Sequence, residues 1–269
     1  MNKYFTLANG VEIPVIGFGT WQIPDGGIAY NSVLEALKAG YRHIDTAMVY
    51  GNEKSVGRAI KDSGVKREDI FVTTKLSANI KGYEEALAEF EKSMHNLQLD
   101  YLDLYLIHNV KPWSVASDGY EYMEKNIASW KAFEKLYKEG KIRAIGVSNF
   151  LPGHLEILIK NTEIAPMVNQ IRLNPQVIPT DNIKYCRENN ILIEAYSPFA
   201  TGRIFSDDKY EAIAAKYNKS VAQLLVRWSL QYGFLPLPKS VTATRIKENL
   251  DVFDFEITPE DMKAIGNIK

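Results

Sequence analysis

IFVTTKLSANIKGYEEALAEFEKSMHNLQLDYLDLYLIH, residues 70–108, is the stretch whose reading decides the fold. It opens on an apolar, β-branched run, Ile70–Thr74, and continues into an amphipathic, charged stretch of helical length, Tyr83–Asn96. A second continuous apolar run, Leu102–Ile107, closes it. Strand, helix and strand in that order form a βαβ unit. Continuous apolar strands alternating with helices point to a parallel sheet covered by helices.

The same alternation extends outward on both sides. Upstream lie strand-like runs at Val15–Gly19 and Tyr41–Ile44 with a helical pattern at Tyr30–Lys38. Downstream come strand-like runs at Ala144–Val147, Met167–Asn169, Leu192–Glu194 and Leu235–Leu237, with helical patterns at Ile127–Lys138 and Leu155–Lys160. Gly40 and Gly140 stand where helix C-terminal glycines belong. Eight such units in 269 residues fit a closed (β/α)8 TIM barrel better than an open sheet. Tyr4–Leu7, Asn9-Gly10 and Val11–Ile13 read as a hairpin that plugs the N-terminal mouth. Ser220–Gln231 reads as an additional helix before the eighth strand. With no linker, low-complexity tract or repeat, residues 1–269 are expected to form one domain.

Composition narrows the function classes. Lys plus Arg (32) and Asp plus Glu (33) nearly cancel, which favours neither nucleic acid nor an anionic membrane as partner. No apolar run approaches the ~20 residues of a membrane span, and the N-terminus lacks a signal-peptide core. Cys186 is the only cysteine, so an intramolecular disulfide or cysteine-rich metal site is ruled out and a cytoplasmic protein is expected. The four histidines form no HExxH-like cluster, and no catalytic metal is expected.

In such a barrel the chemistry sits at the C-terminal ends of the strands. There the sequence supplies Asp45, with Tyr50 five residues on, then Lys75 and His108, from three consecutive units. A phenol ionises near pH ~10 and donates its proton poorly at neutrality. A nearby ammonium such as Lys75 lowers that pKa, and a carboxylate such as Asp45 keeps the ammonium charged and oriented. His108 can hydrogen-bond a carbonyl oxygen beside the Tyr50 hydroxyl. The combination suits hydride addition to C=O. Singly, each residue has a structural alternative: an Asp45–Lys75 ion pair, a core tyrosine, a strand-end histidine. A Schiff-base aldolase on Lys75 also fits the spacing.

A second signal lies in LPLPKSVTATRIKENL near the C-terminus, where Lys239, Ser240 and Arg245 follow the last strand. Barrels bind phosphate at these loops with a helix N-terminus, and the two cations suit the 2′-phosphate of NADP; a solvated basic turn is the plainer alternative. No GxGxxG follows a strand, which disfavours a Rossmann site.

Long motifs in order carry a family resemblance. They are GFGTW at Gly17–Trp21, GYRHIDTAMVYGNEKSVGRAI at Gly40–Ile60, DIFVTTKL at Asp69–Leu76, LDYLDLYLIH at Leu99–His108, GKIRAIGVSNF at Gly140–Phe150 and LPKSVTATRIKENLDVFDFEIT at Leu237–Thr258. The chain resembles the aldo-keto reductase family over nearly its whole length, in particular bacterial-type NADPH-dependent aldehyde, diketogluconate and glyoxal reductases. The resemblance implies a monomeric barrel with NADPH across its C-terminal rim and a small carbonyl compound as substrate. It makes Asp45, Tyr50, Lys75 and His108 the catalytic tetrad, with Tyr50 the general acid in reduction. It assigns Ser148, Asn149 and Gln170 to the nicotinamide carboxamide, Tyr196 to ring stacking, and Ser197 and Phe199 to the pyrophosphate. Lys239, Ser240, Val241, Thr242 and Arg245 fall to the 2′-phosphate, Glu248 and Asn249 to adenine. Thr20, Trp21 and Asp45 join the cofactor contacts, and Trp21, Met48, Tyr50, Ser77, His108, Asn109 and Trp113 are substrate-wall candidates.

The chain departs from the family pattern in three places. Asn109-Val110 follows His108 where Trp-Pro is usual, IRLNP stands for IECHP after Gln170, and the chain stops soon after Ile268, short of the loop that closes many relatives. Together these imply a wider, more polar pocket and broad carbonyl use. Lys111–Lys125 reads as a loop over the rim. An NADP(H)-binding regulatory subunit with little turnover is the alternative.

Overall fold

The computed structural model describes residues 3–267, so the end of the chain at Ile268, expected to lack a closing loop, lies outside the described residues. Strands β1 (Tyr4–Thr6) and β2 (Glu12–Pro14) pair antiparallel as a hairpin. There follow β3 (Phe18–Gly19), α1 (Gly27–Ala39), β4 (His43–Asp45), α2 (Glu53–Asp62), β5 (Phe71–Leu76) and α3 (Tyr83–Leu97). Next come β6 (Leu102–Ile107), α4 (Met123–Lys138), β7 (Ile142–Ser148), α5 (Pro152–Lys160), β8 (Val168–Arg172) and α6 (Thr180–Glu188). The chain continues through β9 (Leu192–Tyr196), α7 (Asp208–Lys216), α8 (Val221–Gln231), β10 (Leu235–Leu237), α9 (Ala243–Leu250) and α10 (Pro259–Ile265).

Strands β3 to β10 pair in chain order, every neighbouring pair parallel. Two backbone hydrogen bonds close the ring between its first and last strands: Gly17 N to Pro236 O at 3.1 Å and Gly19 N to Pro238 O at 3.0 Å. The seam leaves no room for a side chain. A Cβ on Gly17 would lie 2.5 Å from Leu237 Cδ2 and 2.6 Å from His43 Nδ1. Every residue of β5 and β6 is buried, because helices cover one face and the barrel interior the other.

All eight expected strands are present, with shifted ends. β5 continues past Thr74, so Lys75 lies within the strand. β8 and β9 continue past Asn169 and Glu194, ending at Arg172 and Tyr196. The apolar reading stopped early because the interior at this end of the barrel holds polar groups. Helix α4 starts at Met123, so Lys125 belongs to a helix and the rim loop is shorter than expected.

The hairpin turn also differs from a two-residue Asn-Gly turn. Gly10 N donates to Leu7 O at 2.9 Å and Leu7 N to Val11 O at 2.8 Å, and Gly10 takes the left-handed conformation at φ 84°. This is a three-residue loop closed by one glycine. Asn9 Nδ2 donates to Tyr137 Oη and Arg143 O, at 3.2 and 2.9 Å. Those bonds tie the hairpin to the end of α4 and the start of β7, at the N-terminal end of the barrel.

Helix ends follow local chemistry. Gly40 stops α1 at φ 109°, with its N–H turned back to Ala36 O and Leu37 O. Ser220 caps α8 reciprocally with Gln223. Among the described residues no helix is long and apolar enough to cross a membrane.

Candidate active site

The C-terminal ends of β4, β5 and β6 and the turn after β4 bring four expected residues together. Lys75 Nζ, fully buried, donates to Asp45 Oδ1 and to Thr46 O, both at 2.8 Å. Its third direction faces Tyr50 Oη at 3.4 Å. Tyr50 ends a 3-10 turn, Met48–Tyr50, and its ring meets the His108 ring edge-on, centroids 5.6 Å apart. His108 is buried, and its Nδ1 has no hydrogen-bond partner among the described residues.

Each protonation state has an identifiable cause. Burial opposes charge on Lys75, but Asp45, followed by Tyr50, outweighs it and holds the ammonium above its ordinary range. Burial, then the charges of Lys75 and Lys81, hold the His108 imidazole well below its ordinary range, so it is neutral. Tyr50 departs from expectation. Burial raises the phenol above its ordinary range, and the opposing pull of Lys75 does not overcome it. The ammonium makes the phenolate accessible without making it the resting form.

Beneath this group Gln170 Nε2 donates to Asp45 Oδ2 at 2.8 Å and to Glu194 Oε2 at 2.7 Å. Thr20 is fully buried, and its amide and hydroxyl both donate to Asp45 O at 3.0 Å. It anchors the strand end and offers no hydrogen to a ligand.

The remaining expected residues spread around the rim. Asn149, in a left-handed conformation at φ 60°, donates to Ser148 Oγ and His108 O and accepts from Tyr196 Oη at 2.8 Å. Ser148 Oγ donates to Gln170 O. Ser197 is also left-handed at φ 52°, its carbonyl held by Asn174, and Phe199 packs against Phe205. Ser240 Oγ accepts from Thr242 N just ahead of α9. Val241, Thr242, Lys239 and Arg245 are exposed, Glu248 is half-buried and Asn249 is buried. Neither the Lys239 nor the Arg245 side chain makes an ion pair or hydrogen bond among the described residues. Two unpaired cations and a helix N-terminus suit a phosphate monoester, and half-buried Tyr196 offers a ring to stack on. The donor set therefore fits NADP.

Two substrate-wall expectations need correction. Met48 turns away from the mouth, its sulfur 3.5 Å from Asn96 Nδ2 on α3, which also donates to Glu53. Its neighbour Val49 is 48% exposed, as Trp21 is at 46% and Trp113 at 54%, and Trp113 sets its ring edge-on to His108. Asn109 is buried with its side-chain oxygen bonded to Val110 N, so it is not an open polar wall. Ser77 is buried and its hydroxyl accepts from Asn79 N. The sequence reading missed Val49, one place from Met48 in an irregular turn. It also missed Lys81, whose ammonium donates to Asn109 O at 2.5 Å and is pulled down to about 7 by burial. No motif marks either.

The pattern described as the Aldo/keto reductase family matches residues 15–269. The chain belongs to the aldo/keto reductase family. Its members are oxidoreductases acting on small carbonyl compounds with nicotinamide cofactors. Glyoxal reductase of Bacillus subtilis is 50% identical over 259 residues, covering 96% of this chain and 90% of the relative. A crystal structure of an aldo/keto reductase from Brucella melitensis superposes with TM-score 0.92 at 43% identity, covering 100% of this chain and 99% of that one. The Bombyx mori aldo-keto reductase, solved in complex with NADP, gives TM-score 0.87 at 34% identity over 97% and 91% of the two chains.

Proposed function

We propose that this chain is an NADPH-dependent carbonyl reductase in which Tyr50 is the proton donor. One observation carries the reading: a sealed Asp45–Lys75 ion pair whose ammonium faces Tyr50 Oη at 3.4 Å. NADPH, when bound, supplies a hydride to the carbonyl carbon. The protein's part is to protonate the oxygen. Neutral His108 donates a hydrogen bond to that oxygen and orients it toward Tyr50. Tyr50 then gives up its proton, and the adjacent ammonium offsets the phenolate charge. A lysine held this firmly as an ammonium is a poor nucleophile, which argues against Schiff-base chemistry on Lys75.

NADPH is preferred to NADH because Lys239 and Arg245 stand exposed ahead of and within the first turn of α9. Gln170, Ser148, Asn149 and Tyr196 would hold the nicotinamide end, with Ser197 and Phe199 along the pyrophosphate. Trp21, Val49 and Trp113 border a mouth built from exposed apolar side chains, suited to small aldehydes, ketones and dicarbonyls of varied shape, glyoxal among them. The reading takes the chain as one domain working as a cytoplasmic monomer.

The test follows NADPH absorbance with a panel of aldehydes, dicarbonyls, aldoses and ketones, using the parent and Tyr50→Phe. Turnover by the parent and a fall in kcat of roughly 100-fold or more in the variant, with NADPH still bound, are expected. A folded parent that binds NADPH but turns over no carbonyl would instead indicate a regulatory nucleotide-binding subunit.

A further inference from the structure

Below the catalytic group sits a carboxyl that the chemistry above does not use. Glu194 lies on β9, fully buried, opposite Gln170 across the β8–β9 pair and Leu235 across the β9–β10 pair. Its Oε2 takes the 2.7 Å hydrogen bond from Gln170 Nε2. Its Oε1 has no hydrogen-bond partner among the described residues and lies 3.9 Å from His43 Nε2, a nitrogen that already meets Thr73 Oγ1 at 2.9 Å. A fully buried glutamate is costly where an apolar side chain would pack without loss. Core packing alone does not explain it.

What Glu194 does follows from the valence of an amide. A glutamine side chain has two N–H hydrogens and one acceptor oxygen. In Gln170 both hydrogens meet carboxyl oxygens, one on Asp45 and one on Glu194. Exchanging nitrogen and oxygen would set an acceptor against the Asp45 carboxylate oxygen and forfeit both of these hydrogen bonds, so the amide is held in one orientation. Its Oε1 is the end turned away from the carboxyls. With Asp45 alone, one hydrogen would lack a partner and the amide could rotate. The other Asp45 oxygen is turned to Lys75.

We infer that Glu194 is a positioning residue: it locks Gln170 so that Oε1 is presented to the nicotinamide carboxamide, where it accepts that group's N–H. This rests on the reading of the rim as an NADPH site. Glu194 touches neither the reacting atoms nor the cofactor, and it acts only through Gln170. The ligand group it selects for is a primary amide, through its N–H.

A binding measurement tests this without turnover. NADPH and the reduced 3-acetylpyridine analogue are titrated by quenching of tryptophan fluorescence. The analogue keeps the carbonyl but carries a methyl group in place of the amide nitrogen. Glu194→Met keeps the bulk and removes the acceptor; Glu194→Gln keeps an acceptor oxygen for Gln170. Circular dichroism checks each fold. NADPH affinity should fall about five- to tenfold in Glu194→Met, the effect of one hydrogen bond, while affinity for the analogue stays within about twofold of the parent. Glu194→Gln should bind both as the parent does. Unchanged NADPH affinity in Glu194→Met overturns the inference, and so does an equal loss for both ligands, which would reduce Glu194 to packing. If Glu194→Met does not fold, Gln170→Met decides: it must weaken NADPH binding and spare the analogue, and equal affinities overturn the inference. A parent that binds no NADPH overturns the rim reading itself, and with it this proposal.

Discussion

Glu194 also marks the stability of the folded chain with a pH signature. Burial, then the charge of Asp45, pushes its carboxyl up to about 8 from the ordinary 4.5. Facing it are His43 and Asp45 from β4, Lys75 from β5, Gln170 from β8 and Leu235 from β10. The folded state holds this proton more tightly than the unfolded state. Its contribution is therefore complete below pH 4.5 and is lost as pH rises through about 8. Glu194→Gln cannot ionise, so its Tm should rise relative to the parent between pH 5 and pH 9, by several degrees at the alkaline end. A gap that stays constant across that range would mean Glu194 does not hold the proton. His108 gives the opposite expectation. Held neutral, it should leave no break in kcat/KM between about pH 5.5 and 7.5, where an ordinary histidine titrates. That Asp45, Lys75 and His108 come together was legible in the sequence because each stands at the end of a recognisable apolar run, and Tyr50 was placed five residues beyond Asp45. Glu194 was not, because it ends such a run and reads as the point where the strand stops.

Elements depend on contacts that a residue-by-residue reading passes over. Gly57 on α2 lies against the end of α3, and a Cβ there would fall 2.1 Å from Leu97 O. Backbone cannot move aside as a side-chain tip can. Gly57→Ala should cost about 2–3 kcal/mol and lower Tm, although alanine is the better helix former. Ser220→Ala, which removes the α8 cap, should cost about 1 kcal/mol by urea unfolding. At the start of α9, Arg245→Ala should raise the KM for NADPH about tenfold and leave NADH nearly unaffected; equal effects on both would remove the 2′-phosphate assignment. The order and kind of elements were readable because apolar runs alternated with amphipathic ones. Their ends were not, since polar interior positions such as Gln170 look like loop and the early start of α4 follows an irregular turn. Met48 and Val49 show the same limit: a three-residue 3-10 turn is too short to display a period that would tell the inward side chain from the outward one.

At the scale of the whole molecule, ligand binding and folding are linked. Saturating NADPH should raise Tm, by about 2.7 kcal/mol of added stability at a hundredfold excess over its Kd, and NADH at the same concentration should do less. The bonds from Gly17 and Gly19 to Pro236 and Pro238 carry a further consequence, for the chain while it is being made. The first barrel strand leaves the ribosome more than 200 residues before the strand that seals against it. Through that interval β3 has one neighbour and an open edge, and so does whichever strand has been made last. Exposed edges recruit other edges. Nascent chains stalled before residue 235 should accordingly be sensitive to protease and prone to associate, and chains stalled well beyond residue 238 should be resistant.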